Sequence, residues 1–425
     1  MTGQSAVIDE LEWRGLVHQH TEGLPAALAK QSVSAYCGFD PTASSMHVGN
    51  LIPVMGLMHL QRAGHRPFIV VGGGTGLIGD PSGKTAERQL HTMETVEENV
   101  RAIRKQLEHF LDFSGSNAAQ MRNNADWLVP LRAVDFMRDV GKHFTVNYML
   151  AKESVQSRIE TGISYTEFSY MLLQAYDYRE LFLRDGVTLQ VGGSDQWGNI
   201  TAGMELIRRT EGGDAHALTF PLVTNASGSK FGKTESGNVW LDPERTSPYQ
   251  FYQFWINVDD RDVGRYLRYF TLLSRDEIEA LEREVGEHPE TRKAQHALAT
   301  EVTTRVHGAD VSRIAEDVSR LLFQKGDPRS LSPAGLAALS REVPFAEMSG
   351  DVSAVDALVE LKLAASKSAA RRLIEQGGVA VNGQRVSNAA DPIGEPLPGG
   401  YYLIKKGARD FGLVRTAQRQ QMGTD

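Results

Sequence analysis

A single cysteine, Cys37, stands in 425 residues, which excludes an internal disulfide and any cysteine cluster that could hold zinc. The 12 histidines include no HExxH pair, so no structural metal is expected. No stretch approaches the roughly 20 apolar residues that a membrane-spanning helix needs. The first residues, MTGQSAVIDELEW, are acidic and lack a basic segment followed by an apolar one, so neither an export leader nor a membrane anchor is expected and the chain is placed in the cytoplasm. Broad positive charge is also missing: a net charge of −8 argues against a protein that coats nucleic acid indiscriminately. The charge is uneven, however. Residues 351–425 hold 10 Lys and Arg against 8 Asp and Glu, and residues 1–350 hold 35 against 45. Any RNA contact driven by charge is therefore expected at the C-terminal end.

What remains is the composition of a folded, water-soluble chain, 41% hydrophobic and 23% charged, in a length that exceeds one hydrophobic core. Residues 33–37 read as a short strand. Residues 47–63 read as a helix with apolar Val48, Leu51, Ile52, Met55 and Met58, ending at Gly64, and residues 67–71 as a second strand. Strand, helix and strand in that order make the unit of a parallel sheet. Strands at 188–191 and 218–223 and helices at 95–111, 166–183 and 196–210 extend it. The fold expected is α/β, a Rossmann-like doubly wound parallel sheet over residues 1–246. Residues 247–324 read as an α-helical domain without a strand and 325–351, rich in Pro, Gly and Ser, as a linker. Residues 352–425 read as a small C-terminal α/β domain with two short helices at 354–376 and a hairpin turning at Asn382-Gly383, a strong type I′ signal.

Gly74-Thr75-Gly76-Leu77-Ile78-Gly79 matches the GxGxxG fingerprint of dinucleotide sites, but a helix must open within those glycines. Asp80-Pro81-Ser82-Gly83 follows instead. Residues 79–85 imitate a P-loop with one residue too few between the glycines. A better phosphate site is the stretch from Tyr36 to Thr42 with His47-Val48-Gly49-Asn50 five residues on. A strand end, a turn and a helix N-terminus offer backbone N–H groups to an anion, and His47 adds a donor. Lys230-Phe231-Gly232-Lys233-Thr234 sets two lysines on a glycine-rich loop, able to close over a polyphosphate. In the helix from Thr166, the residues Tyr170, Gln174 and Asp177 share one face among apolar neighbours, where a ligand carrying both an amine and a hydroxyl would satisfy them.

HVGN and KFGKT resemble the HIGH and KMSKS signatures of class I aminoacyl-tRNA synthetases. In order along the chain, YCGFDPTASSMHVGN, GGGTGLIGDPSGKTAER, NYMLAKESVQSRIETGISYTEFSYMLLQAYD, QVGGSDQWGNITAG and KFGKTESG are closely similar to bacterial tyrosyl-tRNA synthetases. The resemblance runs from about Tyr36 to the C-terminus. It implies activation of L-tyrosine with ATP, with Mg²⁺ arriving on the nucleotide and no tightly bound cofactor, followed by transfer to tRNA(Tyr) by a homodimer.

Residue by residue, the resemblance assigns Tyr170, Gln174 and Asp80 to the tyrosine ammonium, and Asp177 and Tyr36 to its phenolic hydroxyl. Thr42, His47, Lys230, Lys233 and Thr234 fall to the phosphates, and Lys84 and Arg88 to a basic loop beside them. Asp40, Gly49, Asn50, Gly193 and Asp195 belong to the nucleotide side, with Gln196 between nucleotide and amino acid. Asn50 departs from the second histidine of the signature: it keeps a donor but cannot become charged. Pro53 is expected to bend its helix. At the C-terminal end Lys362, Lys367, Arg371 and Arg372 resemble the basic helix of an RNA-binding module named after a small-subunit ribosomal protein, expected to face phosphates. Two other readings compete, a noncatalytic RNA-binding protein on the same scaffold and a dinucleotide oxidoreductase. The paired lysines and Asp177 favour the ligase.

Overall fold

The structure is a computed structural model that describes residues 7–80, 92–160, 162–228, 231–234, 237–324, 326–350, 352–390 and 393–416, with the backbone alone for Ser154, Lys233 and Thr234. Its contacts divide into two compact units, residues 1–246 with 258–298, and residues 247–257 with 299–425.

The first unit is built on six strands: β1 Gln19–His20, β2 Ser34–Phe39, β3 Arg66–Val71, β4 Gln120–Asn123, β5 Val187–Gly193 and β6 His216–Phe220. They lie in the order β1-β6-β5-β2-β3-β4. The ladders of β2 with β3 and β5, of β3 with β4 and of β5 with β6 are parallel, and β1 runs antiparallel at the edge. β3 reads as a nearly unbroken apolar run, and β5 is buried at five of its seven positions, because helices cover both faces of a parallel sheet. The chain leaves β2 toward β3 and β4, then returns to the other side of β2 with β5. The gap between β2 and β5 is thus the topological switch point, where open α/β sheets bind ligands beyond the C-terminal strand ends.

Three helices carry side chains to that gap. α1, Leu51–Arg62, follows a 3₁₀ turn at Val48–Asn50. Pro53 is the third residue of α1, where an N–H has no intrahelical partner to lose, so the bend expected there has no cause. α2, Tyr165–Asp185, is capped by the Ser164 hydroxyl accepting from the Glu167 N–H and ends on Gly186 at φ 64°, the left-handed C-cap that glycine favours. α3, Trp197–Glu211, packs along α2. Tyr36, Phe68, Val70, Trp127, Tyr178 and Val187 form one apolar cluster between the sheet and these helices.

The second unit has its own core. Helix Pro248–Ile256 packs on Ala309–Phe323, and a five-stranded sheet holds Phe345–Met348, Val379–Val381, Gln384–Arg385, Tyr401–Lys406 and Asp410–Thr416. The hairpin turns at Asn382 and Gly383, both at positive φ, 50° and 83°, as a type I′ turn requires. The expected linker 325–351 is corrected. It contains helix Pro333–Leu339 and strand Phe345–Met348, the latter parallel to Asp410–Thr416. Leu331, Leu336 and Leu339 are buried with Val318, Leu403 and Leu413: apolar residues spaced among the Pro, Gly and Ser are a folded element, not a spacer. The helices of 247–324 likewise fall in both units.

Two histidines of the first unit are buried neutral. Burial, and then Arg14 and Arg62, lower His59 to about 3, and burial lowers His65 to about 4. The His65 Nδ1 accepts from the Val33 N–H at 3.2 Å. Both folded values lie below the ordinary value near 6.5, so the stability that these neutral rings provide is complete above about pH 6.5 and is lost as pH falls toward 4 and 3. Stability should therefore begin to fall below about pH 6.5, and His65→Asn, which can keep the Val33 bond, should take up about one proton fewer on unfolding near pH 5. Denaturant midpoints measured from pH 4 to 8 check this, and an identical pH slope in the variant contradicts it.

Candidate active site

The polar groups around the switch point form one connected set. Asp177, on the buried face of α2, has each carboxylate oxygen occupied: Asn124 Nδ2 donates to one at 2.9 Å and Trp127 Nε1 to the other at 2.7 Å. Burial nevertheless pushes this carboxyl up to about 7, against the opposing effect of the two donors. Asn124 Oδ1 accepts from the backbone N–H of Gly74 at 2.7 Å, and its Nδ2 also reaches Thr75 Oγ1 at 2.9 Å. Thr75 donates to Asp40 Oδ1 at 2.8 Å, and the Tyr170 hydroxyl donates to Asp40 Oδ2 at 3.0 Å. Gly72 lets this pair form, since a Cβ there would stand 2.3 Å from Asp40 Oδ1 and 2.4 Å from Thr75 Oγ1.

Tyr36 lies on β2 opposite Gln190 of β5, so both side chains leave the same face of the sheet. Both are at least 98% buried. The Tyr36 hydroxyl and Gln190 Oε1 find no hydrogen-bond partner among the described residues, an arrangement that costs roughly 1–3 kcal/mol per group unless a ligand supplies one. Burial, and then the charge of Asp177, hold the Tyr36 phenol well above its ordinary value, so it stays a donor. A second polar group stands nearby: Gln196 Nε2 donates to Asp80 at 2.8 Å, and Asn199 Nδ2 to Gln174 Oε1 at 3.1 Å and Gln196 Oε1 at 3.3 Å.

On the other side of the strand ends, His47 caps the 3₁₀ turn. Its Nδ1 accepts from the Gly49 N–H at 3.1 Å, and the Asn50 side chain accepts from the His47 N–H at 3.0 Å. With Nδ1 accepting, the ring proton sits on Nε2. Asn50 thus fixes the turn that a second histidine occupies in the signature. Gly232, at φ 79°, stands against this turn, because a Cβ there would be 2.7 Å from the Val48 side chain and 3.4 Å from the Gly49 nitrogen. Phe231 anchors the same loop by stacking on Phe270 at 5.0 Å and meeting Tyr266 edge-on at 4.9 Å. The two candidate phosphate-binding segments, far apart in sequence, are therefore in van der Waals reach.

Of the residues singled out in the sequence, Tyr36, Asp40, Asp80, Tyr170, Gln174, Asp177 and Gln196 come together in the first group, and His47, Gly49 and Asn50 in the second. Thr42 is exposed after β2, and Gly193 and Asp195 stand at the end of β5, with Asp195 exposed. Lys84, Arg88 and Lys230 lie outside the described residues, and Lys233 and Thr234 are described by a two-residue strand paired with Gly237–Asn238. Lys362, Arg371 and Arg372 are exposed on the C-terminal unit, and Lys367 is paired with Asp356 at 2.7 Å. The sequence reading missed Thr75, Asn124, Trp127, Gln190 and Asn199. Only Asn124 had a usable signal, the adjacent pair Asn123-Asn124. A cleft of about 430 Å³ lined by Arg66, Gln120, Arg122, Arg184 and Asp185 opens at the N-terminal ends of β3 and β4, away from all of these groups.

A family profile described as "tRNA synthetases class I (W and Y)" matches residues 28–324, and one described as "Tyrosine--tRNA ligase SYY-like C-terminal domain" matches residues 336–414. The tyrosine--tRNA ligase of Bacillus caldotenax is 55% identical over 418 residues, 97% of this chain and 100% of that one. That of Anaeromyxobacter dehalogenans strain 2CP-1 is 54% identical over 415 residues, 96% of this chain and 99% of that one. Among solved structures, a C-terminally truncated mitochondrial tyrosyl-tRNA synthetase of Aspergillus nidulans superposes with a TM-score of 0.69 at 30% identity, covering 76% of this chain and 97% of that one.

Proposed function

The chain belongs to the tyrosine--tRNA ligase family of class I tRNA synthetases, and from that membership we infer that the pocket between Tyr36 and Asp177 receives the phenolic hydroxyl of L-tyrosine. The protein activates L-tyrosine with ATP to tyrosyl-adenylate and pyrophosphate, then esterifies tyrosine to the 3′ end of its tRNA. One observation carries the assignment of the pocket: the Tyr36 hydroxyl is buried without a partner beside a carboxyl that burial has raised to about 7. A phenolic OH donating to Asp177 and accepting from Tyr36 relieves both. Phenylalanine relieves neither, and selection against it by tyrosyl-tRNA synthetases, near 10⁵, is the established example of that cost.

In the first step a carboxylate oxygen of tyrosine attacks the α-phosphorus of ATP and pyrophosphate leaves. The nucleophile is already ionised, so the protein supplies placement and charge stabilisation. The carboxylate of Asp80, with Tyr170, Gln174 and Gln196, suits the substrate ammonium, and Asp40 stays with the nucleotide side. His47 turns its Nε2–H toward the phosphates, and Gly193 and Asp195 at the β5 end suit the ribose. Lys230, Lys233 and Thr234, which flank Phe231 and Gly232 in the sequence, are assigned to the same phosphates, together with Thr42, Lys84 and Arg88. Mg²⁺ enters bound to ATP and needs few protein ligands.

Residues 1–246 are assigned to catalysis, 247–324 to the anticodon side of tRNA, and the exposed Lys362, Arg371 and Arg372 to phosphates of the tRNA backbone. A homodimer is the assembly proposed from the family membership, and sedimentation equilibrium measures it. The described residues contain no helix long and apolar enough to cross a membrane, and the cytoplasm is the compartment proposed.

Tyrosine-dependent exchange of pyrophosphate into ATP tests the central reading. In that assay Asp177→Ala should lower kcat/KM for tyrosine on the order of 10- to 100-fold, the size of a hydrogen bond to a charged group, and collapse the preference over phenylalanine. Equal losses for both amino acids remove Asp177 from the specificity pocket. The paired change Arg371→Gln and Arg372→Gln should leave exchange intact while tRNA charging weakens and loses roughly one to two units of its log–log salt slope. An unchanged salt slope takes that helix off the RNA.

A further inference from the structure

His47 is held on one side by the Gly49 N–H on its Nδ1. That bond alone leaves the ring plane loosely set, because the imidazole can rock about its χ2 torsion while keeping the acceptor near the N–H. The ring also meets the indole of Trp240, with centroids 5.9 Å apart and planes at 74°, a T-shaped arrangement.

The backbone brings the two rings together. His47 and Trp240 are partners in an antiparallel bridge. The Val48 N–H donates to Val239 O at 3.0 Å and the Leu241 N–H to Met46 O at 2.9 Å. The chain then reverses: the N–H groups of Arg245 and Thr246 donate to Asp242 O at 3.1 and 3.0 Å, and the Trp240 N–H donates to Thr246 Oγ1 at 3.0 Å. This reversal lays the Arg245 guanidinium on the indole face, 3.4 Å from its centroid. Arg245 is exposed and makes no ion pair among the described residues, so the stack is what holds it there. The same segment is tied to the lysine loop, because the Val239 N–H donates to Gly232 O at 3.0 Å.

We propose that Trp240, backed by Arg245, is a positioning residue for adenylate formation, fixing the ring plane of His47 and so the direction of its Nε2–H. The indole blocks the rocking of the imidazole, and the cation on the indole face blocks tilting of the indole. Because Val239, next to Trp240, is hydrogen-bonded to Gly232, the aim of His47 and the base of the lysine loop are tied to each other. This role rests on the ligase reading above, in which His47 serves the phosphates.

The experiment is a double-mutant cycle in tyrosine-dependent pyrophosphate exchange, run on the full-length protein. Trp240→Leu should lower kcat on the order of 10- to 100-fold, the usual penalty for a catalytic donor displaced by about an ångström, with the KM for tyrosine unmoved. Trp240→Phe, which keeps an aromatic edge, should restore most of the rate. Arg245→Gln, an exposed change that spares folding, should lose a smaller factor in kcat. In a His47→Gln background each of these losses should vanish, since residues acting through one another are non-additive. Losses that persist in full without His47, or a Trp240→Leu enzyme that works at the wild-type rate, overturn the proposal. If the wild-type protein itself shows no tyrosine-dependent exchange, the ligase reading fails instead, and the two failures are thereby told apart.

Discussion

A carboxyl group can be buried only if donors meet it, and Asp177 organises the first unit around that requirement. Its two oxygens draw Asn124 and Trp127 in from the segment that follows β4. Asn124 in turn ties down the backbone after β3 through Gly74 and, through Thr75, reaches Asp40 after β2 and Tyr170 on α2. Three strand ends and a helix are thus joined by one chain of short bonds at the switch point. Even so the donors do not cancel the burial, and the carboxyl remains near 7. The site is left with an acceptor of unusual appetite facing a phenol that has no partner, and a ligand with a hydroxyl is what completes it.

The nucleotide side depends on a different constraint, close approach of backbone to backbone. Gly49 and Gly232 leave no room for side chains where the HVGN turn meets the lysine loop. That contact brings the turn of His47 and the backbone of Phe231 and Gly232 to one place, although the first sits before α1 and the second after β6. Nothing in this half has to ionise or attack. It has to be still, which is why the groups that hold His47 in place matter as much as His47.

The order strand, helix, strand around residues 33–71 was legible in the sequence because β3 and α1 have clean apolar patterns, and the helix of Tyr170 and Asp177 because its polar residues recur on one face. β4 was not legible. Gln120-Met121-Arg122-Asn123 has neither alternation nor an apolar run, and only pairing with β3 makes it a strand. Asn124, Trp127 and Thr75 escaped for the same reason, since each acquires its role from a partner about 50 residues away. The stretch 325–351 was misread because Pro, Gly and Ser were counted and the leucines between them were not, yet Leu331, Leu336 and Leu339 carry it into the core. The roles assigned to Lys84 and Arg88 came from the family resemblance.

The central claim is that the buried hydroxyl of Tyr36 is reserved for the hydroxyl of the substrate. Its most direct test is equilibrium binding of L-tyrosine and L-phenylalanine to Tyr36→Phe and to the wild-type protein. The account predicts that the variant loses affinity for tyrosine while its affinity for phenylalanine holds or rises, because an unsatisfied buried hydroxyl has been removed from the phenylalanine complex. Loss of affinity for both amino acids to the same extent would contradict it.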